Sequence, residues 1–138
     1  MVPVMHERFP LLAAGVSGAA AVLLGAFGSH VLNHDLVDRG TRAIWETAVN
    51  YHFYHALALL GIAAWMRRTP TGIAARRATR AVRYWTAGTI LFSGSLYAYA
   101  LGGPHVLVWV TPFGGLGLIA GWIFAAGAAL APRSEYDI

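Results

Sequence analysis

The sequence predicts an all-α integral membrane protein, a four-helix bundle with both termini on the cytoplasmic side. Three observations lead there. Of 138 residues, 57% are hydrophobic and only 12% are charged, about half the charged share of a soluble domain. Four apolar stretches of roughly 20 residues, each able to cross a hydrocarbon core about 30 Å thick, take up most of the length. The arginines are spread unevenly over the segments that join those stretches. Little length remains for a soluble part, so a single membrane domain over residues 1–138 is expected.

The first span covers about 9–32, after a short start containing His6 and Arg8. Ala26 and Gly28 ahead of Ser29 imitate a signal-peptidase site, but the apolar run exceeds a signal core, so the span is expected to be retained. The second span covers about 41–66, the third 81–101 and the fourth 111–131. Thr111 is placed to cap free amides at the start of the fourth, and Pro112 suits a first helical turn. Gly102, Gly103 and Pro104 end the third span, and Pro132 follows the fourth.

Orientation follows from the arginines. The segment between spans two and three holds Arg67, Arg68, Arg76, Arg77, Arg80 and Arg83, and the termini add Arg8 and Arg133; the other side has only Arg39 and Arg42. Basic residues stay on the cytoplasmic side, which puts both termini there. The net charge of +4 comes entirely from these arginines. It therefore reads as a topology signal, and no nucleic-acid partner is expected. Trp65 and Trp85 are assigned to the inner interface and Trp45 and Trp109 to the outer one, with Trp122 mid-membrane. Cysteine is absent, which excludes disulfides, thiolate metal sites and cysteine-linked lipids.

Helices in lipid associate through close contact between small residues. The first span carries Ala14, Gly18, Ala21, Gly25 and Gly28 on one face, and the fourth carries Gly114, Gly117, Gly121, Ala125 and Ala128 likewise. Both stripes are expected to face other helices, with each other as one arrangement. Ordinary packing is the plain reading; cleared space for a ligand is the alternative.

Ionisable groups inside the hydrocarbon are costly and mark the places to look for function. The second span carries Glu46, Asn50, Tyr51, His52, Tyr54 and His55. Counting helical rise puts His55 and Ser93 both roughly 15 Å deep, and His52 and Tyr97 both about 21 Å from the inner side. A histidine and a hydroxyl are thus paired at each of two levels. His30 and Glu46 both fall near 30 Å, at the outer interface. His52 and His55 are the candidates if any metal or haem iron is held; the cofactor is otherwise open. His6, His34 and His105 read as loop or interface residues. No phosphate loop, serine elbow or zinc-binding helix motif is present.

Four blocks carry a resemblance: Gly25–His30, Tyr51–Leu57 around His55, Leu91–Tyr97 with Ser93, Gly94 and Ser95, and Thr111–Gly115 followed by Gly121 and Trp122. In this order, over nearly the whole chain, the sequence resembles the transmembrane protein 256 family, or domain of unknown function 423. The resemblance implies a four-helix membrane protein with no assigned biochemical activity. It marks Gly25, Gly28, His30, His55, Ser93, Gly94, Ser95, Tyr97, Thr111, Pro112, Gly114, Gly115, Gly121 and Trp122. His52 departs from the family pattern, in which an amide or another polar residue is common.

The expectation is an inner-membrane, non-catalytic protein whose partners are the lipid bilayer and either itself, as an oligomer, or another membrane protein. The alternative is a small-ligand, ion or metal site around His55, Ser93 and Tyr97, with His30, Glu46, His52, Ser95 and Trp122 nearby.

Overall fold

A computed structural model describes residues 4–68 and 71–132, with side chains from Arg8 onward. Arg133 and the side chain of His6 lie outside the described residues. Five helices follow in order: α1 (Val4–His30), α2 (Asn33–Asp38), α3 (Arg42–Met66), α4 (Gly72–Ala100) and α5 (Leu107–Ala129). Among the described residues there is no strand.

Besides α1 starting at Val4 instead of about residue 9, three features differ from the sequence expectation, each for a local reason. First, α4 starts at Gly72 rather than Ala81, because the arginine-bearing stretch is alanine-rich and simply continues the helix. Arg77 is held there by donating from Nη1 to the Gly127 carbonyl of α5 at 2.7 Å. Second, α5 starts at Leu107, so Pro112 lies inside the helix. Thr111 does not cap it: its hydroxyl donates back to the Leu107 carbonyl at 3.2 Å. Third, the extra helix α2 occupies the connection between α1 and α3 and brings Leu36, 1% exposed, against Trp45 and Ala100.

Glycine ends two helices as expected from its freedom at positive φ. Gly102, at φ 92°, follows α4 and donates to Tyr99, while Gly103 donates to Ala98. These two bonds satisfy carbonyls that the helix end leaves free. Gly40, at φ 67°, closes α2 in the same way through Val37 and Leu36. Thr41, expected to open the second span, stands immediately before α3, and its hydroxyl donates to the Ala100 carbonyl at 2.8 Å, tying α3 to the end of α4.

α1 packs along α3, α3 against α4, and α4 along α5, while α1 and α5 have no substantial contact. The long helices form an open row rather than a closed four-helix bundle. The glycine stripes explain why, since α1 spends its stripe on α3 and α5 spends its stripe on α4. They do not meet each other. One core cluster gathers Leu59, Ala81, Val82, Trp85 and Leu118, and a second, at the α2 end, gathers Leu36, Trp45 and Ala100.

Trp45 and Trp85 are 4% and 2% exposed, so they belong to the core and not to the interfacial belt. Each fills the space over a glycine of the neighbouring helix: Trp45 over Gly28, Trp85 over Gly121. Trp45 also donates from Nε1 to the Leu24 carbonyl at 3.0 Å.

The outward surface is apolar. Leu23 is 65% and Ile123 66% exposed, in company with most large residues on the outer faces of α1 and α5. Water would penalise such continuous apolar faces, and lipid would not. Among the described residues, Arg8–His30 and Leu107–Ala129 are long and apolar enough to cross a membrane. The other two long helices carry the polar series of α3 and the arginines of α4, which lower their apolar character.

Candidate functional site

The polar residues concentrate where α3 meets its neighbours. His55 is 5% exposed. Its Nδ1 lies 2.8 Å from the Tyr51 carbonyl, one turn earlier, and its Nε2 lies 3.2 Å from the Trp122 indole nitrogen of α5. A carbonyl can only accept and an indole N–H can only donate, so the ring is neutral with its proton on Nδ1. Both nitrogens are engaged, and neither has a lone pair free for a metal in this arrangement. Trp122, 53% exposed, also sets its ring against Trp85 at 4.8 Å between centroids. Through His55, Trp85 and Trp122, the non-adjacent helices α3 and α5 meet across α4.

Ser93, expected to pair with His55 by depth, donates instead to the Ala48 carbonyl of α3 at 2.9 Å and is 1% exposed. Ala48 lies seven residues from His55 along α3, about 10 Å of helical rise, so the two helices are offset along their axes and the expected common level does not hold. His52 and Tyr97 do meet: Nδ1 and the phenol oxygen lie 3.3 Å apart, with Trp45 packed on Tyr97 at 4.8 Å. Ser95 joins α4 to α5, with its hydroxyl 2.8 Å from that of Thr111. The outer pair does not form as expected, because Glu46 accepts from Arg42 at 2.9 Å within α3 and both are exposed. His30 is exposed at the end of α1, and His34 lies 3.0 Å from Asp38 in α2. Among the described residues, no three His, Cys, Asp or Glu side chains are placed to hold one metal ion.

A cleft of about 510 Å³ opens between α1 and α4 over α3. Its walls are apolar except for Ser17, His52, Thr86, Thr89, Ser93 and Tyr97. Thr89 is 6% exposed, and its hydroxyl has no hydrogen-bond partner among the described residues. Sequence reasoning passed over it, although Thr86, Thr89, Ser93 and Tyr97 recur at spacings of three and four, which is a legible polar face of one helix. A smaller, more polar hollow of about 200 Å³ lies between α1 and α3, bordered by Gly25, Gly28, Arg42, Glu46 and Asn50. Gly25 and Gly28 serve the helix contact there: a methyl group on Gly25 would lie 3.3 Å from Val49, and one on Gly28 would strike the Trp45 ring.

This architecture has described relatives. The chain is 40% identical over 126 residues to the UPF0382 inner membrane protein YgdD of Escherichia coli K12, covering 86% of each chain. It is 36% identical over 130 residues to a UPF0382 membrane protein of Haemophilus influenzae, covering 94% of this chain and 99% of that one. To the UPF0382 membrane protein YwdK of Bacillus subtilis it is 37% identical over 120 residues, covering 87% and 94%. No solved structure matches the chain. Residues 24–115 match the family described as protein of unknown function (DUF423), and with these relatives the match shows that the chain is a membrane protein belonging to the DUF423 family.

Proposed function

We propose that this is a non-catalytic inner-membrane protein that crosses the bilayer four times, with both termini in the cytoplasm, and acts as an oligomer or an accessory subunit of a membrane complex. One observation carries the reading: among the described residues, three of the four buried polar side chains, all but Thr89, are spent on joining helices. His55 is saturated by Tyr51 and Trp122, Ser93 by Ala48 and Ser95 by Thr111. Such bonds fix helix register in lipid, and none of them pairs a nucleophile with a base. The open row supports a partner, because α1 has one long-helix neighbour and an otherwise exposed apolar surface. The arginine asymmetry supports the orientation.

The absence of native cysteine makes the test direct. Single cysteines at Arg68 and His105 are expected to react with a membrane-impermeant thiol reagent from opposite sides of inverted vesicles. Crosslinking in native membranes is expected to join the chain to itself or to another membrane protein. Recovery of a lone monomer under those conditions overturns the proposal.

A second reading, favoured by Thr89, places a small ligand in the 510 Å³ cleft beside the His52–Tyr97 pair. Gently purified protein would then carry a small molecule detectable by mass spectrometry, or a metal or haem detectable by elemental analysis and absorption. Its amount would fall in Thr89→Val.

A further inference from the structure

We propose that a groove on the outer side of α1 is a binding site for one anionic phospholipid, whose phosphate sits between Arg8 and Arg67. The groove is shallow and open, spans about 680 Å³, and is bordered by Arg8, Arg67 and an apolar strip from Leu11 through Leu12, Gly15 and Val16 to Ala19. It adjoins the cleft that faces α4, with Leu12 and Val16 on the ridge between them, and it uses none of the residues that join the helices.

Three features select this occupant. Arg8, near the start of α1, and Arg67, at the end of α3, stand at the same end of the groove because the two helices run antiparallel. Both side chains are exposed, and neither has an acidic partner among the described residues. Two arginines bordering one groove offer guanidinium donors suited to phosphate oxygens. Below them the groove is apolar down to Ala19. At 1.5 Å per residue it runs about 16 Å, the depth of one leaflet in a core about 30 Å thick. Gly15 forms its floor, and a methyl group built there would meet nothing within 4 Å, so the space is open to an acyl chain rather than filled by a neighbouring helix.

A second copy fits less well. Docking by the same face about a two-fold axis along the membrane normal would bring four arginines to one level, with like charges facing one another. The inference rests on the multi-span reading, because it needs Arg8 and Arg67 at one bilayer surface. Cysteine labelling at Arg68 and His105 tests that premise separately.

The test uses the full chain in vesicles containing photoreactive acyl-chain phosphatidylglycerol or, in parallel, phosphatidylcholine with the same acyl chains. The expected result is adducts concentrated on Leu11–Ala19, with phosphatidylglycerol preferred by about fivefold or more. Arg8→Gln with Arg67→Gln should bring that preference close to one. Gly15→Leu should remove the Leu11–Ala19 adducts while leaving those at Val22 and Leu23, which report that α1 is still inserted. Equal labelling by the two lipids, or labelling indifferent to Gly15→Leu, overturns the site. So does a crosslink between two chains through Gly15, which would assign the face to a second copy.

Discussion

The α4–α5 pair and the α1–α3 pair are built with the same device, yet they differ in what the glycines meet. In both, a stripe of small residues on one helix receives a tryptophan from the other: Trp85 over Gly121, Trp45 over Gly28. In α4–α5 the stripe also brings backbone to backbone. A methyl group on Gly114 would strike Phe92 main-chain atoms, and one on Gly88 would come within 2.9 Å of the Leu118 nitrogen. In α1–α3 the other glycines meet side chains, with Gly18 3.9 Å from Ala56 and Gly25 3.3 Å from Val49. The Ala56 contact is already ordinary van der Waals distance and the Val49 side chain can rotate aside, whereas a helix backbone can yield only by moving the whole helix. The comparison identifies α4–α5 as the rigid half and α1–α3 as the adaptable half, and α1 borders all three open spaces.

The contrast breaks first at Gly114. Gly114→Val should separate α4 from α5 and cost about 3 kcal/mol or more, measured by unfolding in mixed micelles with increasing dodecyl sulfate. An effect as small as that of a surface change would remove the distinction between the halves. Next come the two tryptophan seats. Gly121→Leu and Gly28→Leu should each cost about 2 kcal/mol, and Trp85→Ala should relieve the first and not the second, a coupling that a double-mutant cycle reads. Gly25→Leu sharpens the adaptable side: about 1 kcal/mol is expected, recovered by Val49→Ala. If Gly25→Leu instead removed a bound small molecule and left folding intact, the packing account of that stripe would be wrong. Ser93→Ala, which deletes one hydroxyl bond to Ala48, should cost about 0.6 kcal/mol. Gly61→Ala is the smallest change. Nothing lies within 4 Å of the added methyl, so a gain of about 0.5 kcal/mol from helix propensity is expected.

Legibility in the sequence followed the kind of information each feature needs. The stripes of α1 and α5 were readable because helical spacing alone defines a face, and the structure places Ala14, Ala21 and Gly28, and Gly114, Gly121 and Ala128, in buried positions. The meeting of His52 with Tyr97 was readable from depth. That of His55 with Ser93 was not, because counting rise from assumed span ends misses the offset between two helices, and Ser93 meets Ala48, seven residues from His55. Trp45 and Trp85 were misread because residue type suggests an interface, while a glycine on the neighbouring helix offers a seat that the chain's own helix cannot reveal. The arginines before Ala81 were read as a loop because charge ends a membrane span; it does not end a helix, and α4 continues through them to Gly72. Thr89 was missed since a lone threonine is unremarkable until burial leaves its hydroxyl without a partner.

By itself the sequence determined the helical class, the apolar outward character, the uneven distribution of arginine and the two glycine faces. Each of these depends on composition or on periodicity within one helix. Tertiary structure alone decided which helix each stripe serves, which tryptophan sits over which glycine, how both nitrogens of His55 are taken, and that the row stays open between α1 and α5. Those outcomes depend on shape matching between separate helices. In lipid, where water supplies no general drive to bury apolar faces, close fit rather than hydrophobicity selects the neighbour.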